Sequence, residues 1–96
     1  MMLWALVMAA GMSDDAFARA LRQAPPDLRA VVERRLGCNH WGGEEPYDAE
    51  RAAQIRDAAA RLKCRSLERD EARMRSRYAR RPAWLKLLRA AADRDG

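Results

Sequence analysis

Cysteine, histidine and carboxylate side chains, which can ligate metals or act in catalysis, are concentrated between residues 38 and 64. Cys38 and His40 lie two residues apart, and Cys64 closes the segment. Glu44 and Glu45 follow the histidine and could add a carboxylate. Structural zinc sites usually draw their ligands from paired motifs such as CxxC and HxxxH, and neither motif occurs here. We therefore predict no metal site.

The same residues could in principle supply a Cys-His nucleophile pair. Such a pair needs a free cysteine and a third group that orients the imidazole, and no third group is evident. The chain also contains no GxSxG, no HExxH and no phosphate-binding glycine loop. We therefore expect a protein that is not an enzyme and has no cofactor.

The two cysteines are most simply explained as one disulfide, Cys38 to Cys64. A chain of 96 residues has a small core. Closing this loop would stabilise the folded state by about 3 to 4 kcal/mol on the chain-entropy model. The bond requires an oxidising compartment, and two buried free thiols are the alternative if the chain is not exported.

The first ten residues, MMLWALVMAA, form an uninterrupted apolar run. The run is typical of a short signal-peptide core, with Ala9 and Gly11 as small residues for cleavage. We predict a signal peptide at residues 1–11, a single domain at 12–96, and a periplasmic or secreted protein of the bacterial cell envelope. No basic residue precedes the run, so an upstream start or an ordinary apolar helix is the alternative. A membrane span needs about 20 apolar residues, so no span is expected in the mature chain.

The composition predicts an all-α fold. Ala, Leu, Arg and Glu are good helix formers and supply much of the chain. Residues branched at the β-carbon are few, and no run alternates apolar with polar residues. We expect a small bundle of three to four short helices with one disulfide.

Local signals place the helices of the first half. Ser13 is an expected N-cap, and the helix that it begins should end before the paired prolines. Pro26 can open the next helix, with Gly37 as its expected C-terminal stop. Residues 37–47 should then form an irregular connection, because Gly42, Gly43 and Pro46 resist regular structure.

The second half has its own start signals. Asp48 is an expected N-cap for the helix that follows it. The apolar face of this helix is mostly alanine, so it should bury little area. Ser66 can cap or restart the chain, and Pro82 fits the first position of a last helix. Trp84 and Leu88 lie on one apolar stripe of that helix.

From the second cysteine onward, an acidic, an apolar and an aromatic residue follow at helical spacings: Cys64, Leu67, Asp70-Glu71, Met74 and Tyr78. This pattern resembles the short cysteine-containing helical repeat of the LprI-like lysozyme inhibitor family, over roughly residues 38–80. Glu71 takes the acidic position, Met74 the apolar one and Tyr78 that of the tyrosine. The resemblance implies a small, exported, helical and disulfide-bonded protein, and it extends to lysozyme inhibition if an acidic loop does the docking.

The candidate partner-binding site is the 39–47 loop, with side chains His40, Trp41, Glu44, Glu45 and Tyr47. Two carboxylates between two aromatics could dock a basic partner. The simplest role for the two aromatics, however, is to cap an end of the small core, and a ligand-binding role is the alternative to it. The leading hypothesis is a noncatalytic exported protein that binds another protein or an envelope polymer through this loop and the basic helix.

Arginine dominates the net charge of +5, and residues 61–81 hold nine basic against three acidic side chains. Arg69, Arg73, Arg77 and Arg80 recur at helical spacing along an arginine-rich helix at 65–81. An anionic-polymer or nucleic-acid binder is therefore the alternative function. A solvated face whose arginine stems cover apolar surface is the simpler interpretation. Nucleic acid is the less favoured partner, because an exported protein rarely meets it.

Overall fold

A computed structural model describes residues 11–94, which form five α-helices and contain no strand. The all-α prediction is confirmed, with five helices where three to four were expected. The predicted signal peptide lies outside the described residues except for Gly11. The helices are α1 (Asp14–Gln23), α2 (Pro26–Gly42), α3 (Ala49–Arg61), α4 (Leu67–Arg77) and α5 (Pro82–Ala91), with a 3-10 turn at Cys64–Ser66.

The predicted start signals are confirmed at four helices. The Ser13 hydroxyl accepts a hydrogen bond from the Ala16 amide at 3.1 Å, and Asp48 accepts one from the Arg51 amide at 2.7 Å. Both bonds satisfy backbone donors that have no partner within the helix. Proline opens α2 and α5, where its missing N–H removes no helical bond. Ser66 precedes α4 without a side-chain capping bond.

The prediction that Gly37 ends the second helix is wrong. α2 continues to Gly42, so the irregular connection begins at residue 43. A Cβ atom on Gly37 would lie 2.8 Å from Cδ1 of Leu62, closer than real Cβ atoms approach. Gly37 therefore allows the chain after α3 to lie directly against α2.

The main core surrounds α2. Leu28 and Val32 of α2 are fully buried, as are Leu67 of α4 and Leu87 of α5. The other members of this cluster are Phe17, Ala24, Val31, Met74, Leu88 and Ala91. α3 adds no residue to this cluster, and its buried residue Ala58 lies apart from it. α3 is thus an outer layer of the fold.

Polar side chains of α2 bind the C-terminal ends of two neighbouring helices. Arg29 Nη2 donates to the carbonyl oxygens of Arg22 and Ala24, each at 3.2 Å, where α1 ends. Asn39 Nδ2 is shared among three carbonyl oxygens at the end of α5, those of Ala91, Ala92 and Arg94, at 3.1, 3.0 and 2.7 Å. Carbonyls at a helix C-terminus lack a following helical amide, and α2 supplies side-chain hydrogen bonds to these.

Two adjacent arginines of α2 pair with two adjacent acids of α4. Arg34 Nη1 lies 2.8 Å from Asp70, and Arg35 contacts both Glu71 oxygens at 2.7 and 2.8 Å. Glu71 is only 9% exposed, and the bidentate guanidinium satisfies both of its oxygens. The ion pair raises the pKa of Arg35. The acidic and aromatic residues of the Cys64–Tyr78 pattern therefore face inward.

Asp27 joins the start of α2 to the end of α4. The Tyr78 hydroxyl donates to Asp27 Oδ1 and Arg77 Nη1 donates to Oδ2, each at 2.7 Å. The bond from Tyr78 is the largest cause that lowers the pKa of Asp27, with Arg77 and the Leu28 amide adding to it against the effect of burial. The same bond, followed by burial, raises the pKa of Tyr78.

The Arg35–Glu71 pair can be tested with Arg35→Met, Glu71→Leu and the double variant. Each single change leaves one largely buried charge unpaired, so we expect the free energy of unfolding to fall by about 2–4 kcal/mol. The double variant leaves no unpaired charge and should be more stable than either single variant. Urea denaturation measures all three.

An exposed ion pair supplies the control for these three variants. Arg73 lies 3.3 Å from Asp70 and its side chain is 64% exposed, so Arg73→Ala should change stability by less than about 1 kcal/mol. If the double variant lost the full sum of the two single losses, the two side chains would not be coupled.

Tyr78→Phe should reduce the pH dependence of stability at both extremes. A lowered Asp27 pKa gives stability that is present above about pH 4 and is lost as the pH falls through the folded-state value. A raised Tyr78 pKa gives stability that is present below about pH 10 and is lost as the pH rises through the folded-state value. Thermal unfolding midpoints, measured at intervals of about one pH unit from pH 2 to 11, report the loss of stability at both the acidic and the alkaline extreme.

Tyr47→Phe is the matched control for Tyr78→Phe, because Tyr47 is 74% exposed. Its profile should follow that of the unmodified protein. If Tyr78→Phe lost as much stability at high pH as the unmodified protein does, the Asp27–Tyr78 bond would not contribute to that loss.

Candidate functional site

The predicted disulfide is formed. Cys38 of α2 is bonded to Cys64 of the 3-10 turn, with their Cα atoms 5.8 Å apart and a sequence separation of 26. Neither sulfur is therefore available as a nucleophile in this state. Between residues 11 and 94, no group of three or more His, Cys, Asp or Glu side chains is placed to hold a metal ion.

The disulfide is one of three links between α2 and the end of α3. Arg34 Nε and Nη2 donate to the carbonyl oxygens of Leu62 and Lys63 at 2.8 and 2.9 Å. The Leu62 side chain lies over Gly37. Among the described elements, α3 packs only against α2 and the 3-10 turn. These links therefore fix the position of α3 in place of a large apolar interface.

The loop between α2 and α3 has a fixed base. Gly43 ends α2, and its N–H lies 3.2 Å from both the Asn39 and His40 carbonyl oxygens. The Arg51 guanidinium lies 5.2 Å from the centre of the Trp41 ring and also pairs with Glu44. Arg51 therefore makes a cation–π contact and an ion pair at the same time, and it links Trp41 to Glu44.

The structure divides the five predicted loop residues into two groups. His40 and Trp41 belong to the last turn of α2, where their rings meet edge to face at 5.5 Å, and both are half-buried. Glu44 is also half-buried, beside Arg51. Glu45 and Tyr47 face solvent. The exposed surface of the loop is therefore narrower than the predicted 39–47 segment.

The prediction that the two aromatics cap an end of the core is wrong. Tyr47 is 74% exposed and covers no part of the core. Trp41 also lies outside the core cluster and contacts His40 and Arg51 instead. The role of Arg51 was missed from the sequence, because it depends on a contact across a turn and not on helical spacing.

Charge is strongly separated along this part of the chain. Residues 43–50 hold four acids and no base, so their −4 leaves +9 for the rest of a chain whose net charge is +5. Asp48 and Glu50 lie at the amino end of α3, where negative charge also suits the helix dipole. The exposed Tyr47 ring is thus surrounded in sequence by carboxylates.

The predicted arginine stripe is interrupted. α4 ends at Arg77, so Arg80 lies in the following turn and the continuous helix expected at 65–81 is wrong. Arg69, Arg73, Arg77 and Arg80 are all exposed, but Arg73 contacts Asp70 and Arg77 contacts Asp27. Because Asp70 and Glu71 turn inward to Arg34 and Arg35, the outer side of this segment is more basic than its composition indicates.

No family model, curated protein or solved structure matches this chain. The resemblance to the LprI-like family stays a prediction. The residues that carry it have clear structural roles, since Cys64, Glu71 and Tyr78 each bond to α2. None of the helices between residues 11 and 94 combines the length and apolar character needed to cross a bilayer.

Lys63 has an unusual backbone conformation. Its φ and ψ are 55° and 49°, and it is the one non-glycine residue with positive φ in the described part of the chain. It follows the C-cap of α3, a position where glycine is favoured. A side chain in this left-handed region costs about 1 kcal/mol or more. The Lys63 carbonyl accepts bonds from Arg34 at 2.9 Å and from the Ser66 amide at 3.2 Å, which hold the turn.

Replacing both Cys38 and Cys64 by alanine should release α3 before the rest of the fold. We expect the free energy of unfolding to fall by about 3.5 kcal/mol for a 26-residue loop. Amide hydrogen exchange should accelerate most in α3, because this helix adds no residue to the main core. Amides of α2 and α5 serve as the internal control, and equal acceleration in all helices would contradict the attachment described above.

Proposed function

We propose that this chain is a noncatalytic, exported binding domain that docks a basic protein surface through the tip of the loop between α2 and α3. The observation that carries the proposal is the exposure of Tyr47. At 74% exposed, it is the single large hydrophobic side chain on the surface of residues 11–94. Tyrosine is enriched among the residues that contribute most to protein–protein binding.

The charge around Tyr47 supports a basic partner. Glu45 is exposed immediately before Pro46, and Asp48 and Glu50 are exposed just after the ring. Such a cluster would attract a basic surface and speed the encounter. The arginine-rich face of the chain would repel the same partner, so the loop is the acidic element suited to docking.

The contacts at the base of the loop between α2 and α3 favour tight binding through a small surface. Arg51 holds Trp41 and Glu44, while the Asp48 side chain caps α3 directly behind Tyr47. A loop that is ordered before binding loses less conformational entropy on association. The residues on either side of the aromatic anchor are therefore held in place before a partner binds.

The disulfide supports export. Structural disulfides form and persist in oxidising compartments, and this one fixes a helix that is outside the main core. Together with the apolar run at residues 1–10, it favours the periplasm or the cell exterior. With the LprI-like resemblance, it makes a lysozyme, a basic enzyme with an acidic cleft, the specific partner that we propose.

Binding to a c-type lysozyme tests the proposal. Titration calorimetry and residual lysozyme activity should both report complex formation by the unmodified protein. Tyr47→Ala should raise the Kd by at least about tenfold, as expected for a central aromatic contact. Glu45→Lys should slow association and raise the Kd. Because salt screens surface charges, this increase in Kd should be larger at low salt concentration.

Glu33→Lys is the matched control, because Glu33 is an exposed acid of α2 outside the loop. It makes the same change in net charge as Glu45→Lys and should leave the Kd within about twofold. Equal weakening by both variants, or binding that survives Tyr47→Ala, would reject the loop as the docking surface. Absence of binding by the unmodified protein would reject a lysozyme as the partner.

A further inference from the structure

A cavity of about 590 Å³ lies between the end of α3 and the 3-10 turn, at the opposite end of α3 from Tyr47. Arg56, Lys63 and Arg65 line it. Ala59 and Ala60 supply its apolar surface. The disulfide-bonded Cys64 also lines it. This volume lies in the range of small-molecule binding sites.

The charge of this cavity is not neutralised. All three of its ionisable side chains are basic, and no carboxylate lines it. Asp70, the inward-facing acid on α4, pairs with Arg34 instead. Within residues 11–94, Arg56, Lys63 and Arg65 form no ion pair and donate no side-chain hydrogen bond.

A second basic cavity on the molecule differs in this respect. It contains Lys86, Arg89 and Arg94, but Asp93 also lines it. Arg94 is already engaged there, because it donates to Asp14 at 2.6 Å and lies over the Phe17 ring at 4.4 Å. The cavity beside the disulfide thus has three cations and no carboxylate, whereas this second cavity carries its own acid.

The backbone of Lys63 gives an independent reason to assign a role to its side chain. Lys63 occupies the left-handed conformation in which glycine is favoured, so its side chain is kept against a conformational preference. Arg34 Nη2 donates to the Lys63 carbonyl at 2.9 Å and therefore fixes the backbone from which the lysine side chain extends. Glycine would relieve the backbone strain at this position, but it would carry no ammonium group.

We propose that this cavity binds a phosphate group through Arg56, Lys63 and Arg65. Guanidinium groups present fork-shaped pairs of donors that match phosphate oxygens, and an ammonium adds three rotatable donors. Three positive charges complement a phosphate monoester dianion or a phosphodiester. The Ala59 and Ala60 side chains provide an apolar surface for the carbon portion of the ligand. A soluble phosphate ester and a phospholipid headgroup share this chemistry.

The test uses inorganic phosphate as the probe and amide chemical shifts as the measurement, at low ionic strength. Saturable shifts should be confined to residues 56–66. Lys63→Gly should raise the Kd for phosphate at least about fivefold, since it removes one of three ligands. The same variant should raise the thermal midpoint, because glycine accommodates the left-handed backbone without strain. Opposite changes in stability and binding would not result from a general loss of structure.

Arg75→Ala is the matched control, because Arg75 is exposed on α4 and lies outside this cavity. It removes one positive charge and should leave the Kd unchanged. Arg56→Gln provides a second cavity variant and should weaken binding as Lys63→Gly does. Equal weakening by Lys63→Gly and Arg75→Ala, or shifts spread over the whole basic surface, would overturn the proposal.

Vesicles separate the two sources of the phosphate. Sedimentation with phosphatidylglycerol vesicles, abolished by Lys63→Gly and absent with phosphatidylcholine, would assign the site to a headgroup. Saturation by inorganic phosphate without vesicle binding would assign it to a soluble ester. Binding of a single-stranded oligonucleotide that is insensitive to Lys63→Gly, with no phosphate saturation, would overturn the site in favour of diffuse attraction by the arginine face.

Discussion

The fold depends on the polar side chains of α2 that bind backbone carbonyls at the ends of other helices. Arg29 does this for α1, Arg34 for α3 and Asn39 for α5. Helix C-termini leave carbonyl oxygens without partners, and a small domain has little other structure to satisfy them. One helix therefore performs two tasks. Its apolar residues form the centre of the core, and its polar residues donate hydrogen bonds to carbonyls where the neighbouring helices end.

α3 shows how a weakly packed element can still be held in one place. Its face is largely alanine, so burial against α2 removes little apolar area from water. A covalent bond, a bidentate arginine and a close glycine contact replace that missing area. The consequence is a division of the chain into a core of four helices and one attached helix, which carries an acidic loop at one end and a basic cavity at the other.

Local signals were sufficient to predict most helix starts, since Ser13, Pro26, Asp48 and Pro82 act on their own first turns. The disulfide followed from the number of cysteines. Long-range geometry could not be predicted in the same way. Gly37 is typical of a helix end, yet it lies within α2 because Leu62, 25 positions later, approaches it closely. The partial burial of Glu44 likewise depends on Arg51, whose partners lie across the turn.

The charge separation along α3 has a consequence for orientation. The helix has 13 residues, so the acidic loop and the basic cavity are separated by roughly 20 Å. The acidic side chains at the amino end of α3 and the basic side chains at its carboxyl end form a dipole that points opposite to the backbone dipole of the helix. Near a negatively charged interface, these side-chain charges at the two ends of α3 favour the orientation in which the cavity faces that interface. Tyr47 would then face away from it, toward proteins that diffuse in the adjoining aqueous space.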